Sequence, residues 1–172
     1  ICFFRKDPGG IRRRPNLASV GGITILPILL IPVETAAGET RVAASPETVK
    51  KFIALGCRVV LERGAGRTSG FLDEAYAEVG AHLVTPGDVQ AWGGADVLLC
   101  VQSPSPLDLG RLRRGALAVG LLAPYANVEL DAALKRCGLS AMALELLPRI
   151  SRAQSADALS SQANIAGYKS VL

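Results

Sequence analysis

Residues 148–157 read PRISRAQSAD and bring Arg149, Arg152, Gln154 and Asp157 into one short polar stretch, with Ser160 three positions further on. These residue types suit a particular recognition task. An arginine presents a planar fork of donors that fits a carboxamide or carboxylate oxygen. Glutamine offers a donor and an acceptor together, and an ionised aspartate only accepts. A primary amide on a ligand needs one donor and one acceptor, so Arg149 with Asp157 or Gln154 can supply both. The alternative is that Asp157 and Ser155 cap the next helix, where negative charge is favoured, and the arginines are solvated. Spacing alone leaves both open.

The elements that must carry this stretch follow from the rest of the chain. Apolar runs of strand length occur at 25–31, 57–62, 81–84, 96–101, 116–121 and 139–144. Runs such as ADVLLCV and ALAVGLL are apolar at consecutive positions, the mark of strands buried on both faces in a parallel sheet. Helical segments lie between most of them. In SPETVKKFIALG (45–56), Ser45 is a cap, Pro46 suits the first position, Gly56 the end, and Val49, Phe52 and Ile53 form one apolar face. FLDEAYAEVGA (71–81) repeats the pattern with Leu72, Tyr76 and Val79. NVELDAALKRCG (127–138) offers Asn127 as cap, Gly138 as terminator, and Leu130, Ala133, Leu134 and Cys137 as its buried side. QSPSPLDLG (102–110), with two prolines, reads as a strand-exit loop.

The fold class is therefore α/β: a doubly wound, mostly parallel sheet flanked by helices, Rossmann-like or flavodoxin-like. It ends in a long helix bearing small residues at Ala156, Ala163, Ala166, Gly167 and Ser170, along a side that also carries Leu159. Ligands of such sheets sit at the carboxyl ends of the strands. Two polar stretches fall there, ETAAGETRVAAS (34–45) and PRISRAQSAD, and they are expected to line one edge.

Other chemistries find no support. GAGRTSG (64–70) lacks dinucleotide spacing and reads as a turn. No nucleophile elbow, paired carboxylate or Ser/His or Cys/His arrangement is visible, so the chain carries no complete catalytic apparatus. The single histidine, His82, has no neighbours at metal spacing, and no metal is expected. Cys2, Cys57, Cys100 and Cys137 form no C-x-x-C pair and read as reduced thiols of a cytosolic protein. The net charge of +4 resides in residues 1–24, where Arg5, Lys6, Arg12, Arg13 and Arg14 face only Asp7. The remainder is neutral, which argues against a nucleic-acid partner. The longest apolar run, ITILPILLIPV (23–33), is too short for a membrane span, and no small-residue cleavage pattern follows it.

Two stretches, GETRVAASPETVKKFIALG (38–56) and PRISRAQSADALSSQANIAGYKSVL (148–172), resemble the N-terminal domain shared by alanine dehydrogenases and the alpha subunit of proton-translocating NAD(P) transhydrogenase. The second resembles the transhydrogenase loop named for its Arg, Gln and Asp, here Arg149, Gln154 and Asp157. The resemblance implies that Arg149 binds the nicotinamide carboxamide, that Gln154 and Asp157 orient nicotinamide and ribose, and that Ser160 supports them. It implies NAD(H) as cofactor, with NADP(H) held by a partner domain. Expected partners are NADP(H)-binding and membrane domains or subunits, plus a second copy of the NAD-binding unit in a homodimer. The implied place is the cytoplasmic side of the bacterial inner membrane.

The domain reading is 1–22 as an extraneous leader, 23–153 as the N-terminal α/β domain, and 154–172 as the start of a helix toward an NAD-binding Rossmann domain beyond this chain. The chain alone is then expected to be inactive and to bind NADH weakly. Within the family, alanine dehydrogenases carry a substrate-binding lysine where Gln102 stands and an acid/base histidine where Ala123 stands. Arg41 matches their carboxylate-gripping arginine. Oxidation of an amino acid needs a proton acceptor, whereas hydride transfer between two nicotinamides needs only positioning. The two replacements therefore favour transhydrogenation over the alternatives, an amino-acid dehydrogenase or a non-catalytic nucleotide- or partner-binding α/β module. Two departures from the transhydrogenase pattern remain. Ala156 replaces a common methionine. Val33 replaces a lysine, in a strand interrupted by Pro27 and Pro32, which is expected at an edge, short or irregular.

Overall fold

The computed structural model describes residues 26–147 and 158–171. Six strands form one sheet: β1 (Ile28–Ile31), β2 (Arg58–Glu62), β3 (His82–Val84), β4 (Val97–Gln102), β5 (Leu117–Leu121) and β6 (Ser140–Ala143). Their order is β3-β2-β1-β4-β5-β6, and every neighbouring pair is parallel. The chain winds outward from β1 in one direction through β2 and β3, then returns and winds the other way. This is the doubly wound sheet expected from the apolar runs, and all six runs become strands.

Alternation along the central strands sorts the core into two layers. Leu29 and Ile31 of β1, with Val59 and Leu61 of β2, pack against Val49 of α1 (Pro46–Ala54) and Tyr76 of α2 (Asp73–Glu78). Leu30, Val60 and Leu98 point to the other face. There they meet Trp92 of α3 (Val89–Gly94), Leu109 of α4 (Pro106–Arg111) and Leu130 of α5 (Val128–Cys137). Burial on both faces explains why these strands read as unbroken apolar runs.

The caps act as their residue types require. Ser45 accepts from the Thr48 amide at the start of α1, and Asn127 from the Leu130 amide at the start of α5. Gly138 ends α5 at φ +66°, a left-handed conformation that suits glycine. Leu130 and Ala133 are buried, while Leu134 and Cys137 are half-buried. Leu72 is 66% exposed, because it sits at the cap of α2 and not on its inner face.

One expectation needs correction, and another is met in one of its alternatives. QSPSPLDLG is not a plain exit loop: Ser105 Oγ accepts from the Asp108 amide and Pro106 opens α4. A proline that breaks a helix interior suits its first turn. Strand β1 is short, at four residues, but it is not an edge strand; it lies between β2 and β4. Pro27 and Pro32 bound it instead of interrupting it. The amides at its margins are taken up by carboxylates. Ile28 N donates to Asp96 Oδ2 at 2.9 Å, and Val33 N donates to Glu62 Oε2 at 2.8 Å.

The stretch 64–70 contains a short 3-10 turn at Arg67–Ser69, in line with its reading as a turn. Another such turn, Leu144–Leu146, follows β6. The last described element is α6 (Ala158–Val171), and its residues 160–170 are exposed.

Candidate functional site

In a sheet of this order the winding reverses between β1 and β4, and the crevice at their carboxyl ends is the expected ligand position. A polar cluster occupies that place. It is built from the loop after β1 (Glu34, Glu39, Arg41), the end of β4 (Gln102) and one residue of α6 (Gln162).

Glu39 is its centre. Arg41 grips it in a bidentate fork, with Nε 2.7 Å from Oε1 and Nη2 2.6 Å from Oε2. Gln102 Nε2 donates to Oε2 at 2.8 Å, and the Arg41 amide donates to Oε1 at 2.9 Å. The hydrogen-bonded Arg41 guanidinium holds the Glu39 carboxyl down at about 2, well below the usual carboxylate range. The same pairing raises Arg41. The remaining arm of Arg41, Nη1, donates to Gln162 Oε1 at 3.1 Å, across 121 residues of sequence.

Glu34 joins the strands beneath. It accepts from the amides of Val101 and Gln102, where the β4–β5 register shifts. Its pKa is raised, chiefly because burial disfavours the charge; the two amides oppose that rise. Glu62, at the end of β2, is buried and satisfied by the Val33 amide, the Gly87 amide and the Trp92 indole. It anchors the start of the loop that carries the cluster.

Further along the same edge, Ala123 follows β5 in a left-handed conformation, at φ +45°. Its amide donates to Glu145 Oε1. Asn127 Nδ2 donates to Ser103 Oγ at 3.2 Å, tying the loops after β4 and β5 together. Gln102 and Ala123 thus stand at the carboxyl ends of adjacent strands, on the edge that the cluster occupies.

The structure treats the expected site residues unevenly. Arg41 lies in the cluster. Ser160 lies near the start of α6 and is exposed. Arg149, Gln154 and Asp157 lie outside the described residues, as do Arg152 and Cys2. Of the two polar stretches expected to share an edge, 34–45 is there. The helix that follows the second one reaches it through Gln162. Sequence reasoning does not unite Glu34, Glu39, Gln102 and Gln162 in one site. The spacing E-x-R in GETR is the one local signal that pairs Glu39 with Arg41.

Among the described residues no group of three or more His, Cys, Asp and Glu side chains could hold a metal. His82 is exposed at the start of β3. Cys100 is buried and its thiol is pushed up to about 12 by burial and by the Glu34 charge, while Cys57 and Cys137 are half-buried and free. A separate cavity of about 240 Å³ lies between α5 and β6, lined by Tyr125, Val128, Leu134, Ala141 and Leu146. It is predominantly apolar and shares no residue with the cluster, so the polar crevice is the better candidate for chemistry.

Comparison with known proteins agrees with this geometry. The profile of the alanine dehydrogenase/PNT N-terminal domain matches residues 30–166. The chain belongs to that family. It is 43% identical over 141 residues to the NAD(P) transhydrogenase subunit alpha of Cereibacter sphaeroides, covering 82% of this chain and 27% of that protein. It is 42% identical over 149 residues to an NAD(P) transhydrogenase alpha-subunit chain of Rhodospirillum rubrum, covering 84% and 38%. The crystal structure of transhydrogenase from Sinorhizobium meliloti superposes with a TM-score of 0.79 at 44% identity, covering 84% of this chain and 42% of that one. Alanine dehydrogenases match at 34–36%. The chain therefore spans between a quarter and two fifths of the length of the transhydrogenase subunits it matches in sequence. Among the described residues no helix is long and apolar enough to cross a membrane.

Proposed function

We propose that this domain is the N-terminal portion of a transhydrogenase alpha subunit, and that the whole protein passes hydride from NADH to NADP+ coupled to proton movement across a membrane. The observation that carries the proposal is the state of the crevice beside its similarity to transhydrogenase subunits. At the two positions where an alanine dehydrogenase is expected to hold its lysine and its histidine stand Gln102, committed to Glu39, and Ala123, which has no polar side chain. Arg41, the expected carboxylate grip, already holds the carboxylate of Glu39 on two of its nitrogens. Such a site is poorly suited to seizing an amino acid and removing its proton. It is compatible with direct hydride transfer, where positioning of two nicotinamides does the work.

In this reading NAD(H) lies across the carboxyl edge of the sheet. Arg149 donates to the nicotinamide carboxamide, Gln154 and Asp157 orient nicotinamide and ribose, and Ser160 supports them from α6. NADP(H) is held by a partner domain, the NAD-binding unit pairs with a second copy of itself, and the assembly sits on the cytoplasmic side of the bacterial inner membrane. In the same reading α6 leads toward an NAD-binding Rossmann domain that completes the cleft.

The test is to express the full-length protein with its partner subunits and follow NADH-dependent reduction of an NADP+ analogue. Turnover is expected, together with NADH binding that weakens at least about tenfold in Arg149→Ala, the loss of one charge-assisted hydrogen bond. Reduction of NAD+ at the expense of L-alanine, with no transhydrogenation, would replace this proposal by the amino-acid dehydrogenase reading.

A further inference from the structure

Helix α6 is exposed at every position from Ser160 to Ser170. Its hydrophobicity is nearly uniform around the axis, so it has no apolar face to seat it on the sheet. Yet it meets the body of the domain at a defined polar point: Gln162 Oε1 accepts from Arg41 Nη1 at 3.1 Å. Arg41 is itself rigidly placed. Its other two nitrogens are forked onto Glu39, and Glu39 is pinned by Gln102 at the end of β4 and by the backbone amides of Thr40 and Arg41. A planar guanidinium held on one edge presents its free arm in one direction only. The chain Gln102–Glu39–Arg41–Gln162 therefore transmits the position of the central strands to the helix.

We infer that Gln162 is a positioning residue, the catch of a polar latch that fixes α6 against the carboxyl edge of β1 and β4. This inference rests on the proposed function, in which α6 carries Ser160 toward NADH. Without the catch, the helix loses its bearing on the crevice and its internal hydrogen bonds open more often. The ligand-binding geometry degrades while the folded core does not.

The acceptor on residue 162 separates this role from mere bulk. Gln162→Glu keeps an oxygen that can accept from Arg41, whereas Gln162→Ala removes it. In the full-length protein, NADH affinity by calorimetry is expected to fall about three- to tenfold in Gln162→Ala and to stay within about twofold in Gln162→Glu. Melting temperatures should match, because position 162 is on the surface. Equal affinities in parent and Gln162→Ala, or an equal loss in both variants, would overturn the latch. Amide hydrogen exchange over 158–171 gives a reading that does not depend on the cofactor. Exchange should rise in Gln162→Ala and stay at the parental level in Gln162→Glu, and identical exchange in all three would also overturn it. If the parent binds no NADH, the functional proposal fails, and the exchange result alone decides the latch.

Discussion

Glu39 is charged because its neighbours make the charge cheaper than the proton. The Arg41 fork and the Gln102 amide lower its pKa to about 2, from an ordinary value of 4.5. A carboxyl whose folded pKa is depressed contributes stability above its unfolded pKa and loses it as pH falls through the folded one. The contribution should be complete above about pH 4.5 and gone near pH 2. Arg41 is 39% exposed, so solvent screens the pair, and the stabilisation is on the order of 1–2 kcal/mol. Glu39→Gln should therefore unfold more easily than the parent at pH 7, with the gap closing as pH drops from 4.5 toward 2. Urea midpoints measured across that range check it, and a gap independent of pH would show that the carboxylate is not the source. Glu34 has the opposite tendency, since burial raises its pKa. Two carboxylates five residues apart in one loop are thus held at different proton affinities by what surrounds them.

At the scale of elements, the tightest constraint lies between β4 and β5. A Cβ built on Gly120 would lie 2.5 Å from the Cys100 carbonyl oxygen and 2.8 Å from its Sγ. The carbonyl belongs to the backbone of the neighbouring strand and cannot swing aside. Gly120→Ala should cost about 3 kcal/mol or prevent folding, the upper end for overpacking. Gly110 is the control. It lies in α4, and a Cβ there meets nothing within 4 Å. Gly110→Ala should stabilise by about 0.5–1 kcal/mol, because alanine is the better helix former. Thermal melts of the two variants should move in opposite directions. The strands are legible in the sequence because burial on both faces leaves an apolar run, and α1 and α5 because Ser45, Asn127 and Gly138 are local signals. Of the outcomes its prolines allow, at an edge, short or irregular, β1 takes the short one, and only the structure shows Asp96 and Glu62 taking up the amides at its margins. Helix α4 is hidden by prolines that also mark loops. The cluster cannot be read at all as a unit. Glu39 and Gln102 are 63 residues apart and meet only because the winding reverses between β1 and β4.

For the whole molecule, the question is how much of a binding site one domain can hold. The sheet carries a core on each face, so the chain should fold by itself. The crevice, however, opens beside a helix whose residues 160–170 are exposed, and the relatives are much longer than the matched region. A dinucleotide needs contacts along its whole length, and the pyrophosphate in particular needs a glycine-rich turn at a helix N-terminus. No such G-x-G-x-x-G spacing occurs in these 172 residues. Under the proposed function, the domain contributes orientation at the nicotinamide end but little of the binding free energy. NADH titrated into the isolated chain, once circular dichroism has shown it folded, should bind at least about a hundredfold more weakly than to the full-length protein, a loss of roughly 3 kcal/mol or more. Submicromolar affinity of the isolated chain would mean that the crevice between β1 and β4 is a self-sufficient site. In that event the cluster around Glu39 and Arg41 would have to grip the cofactor directly, and the division of labour between two domains would be wrong.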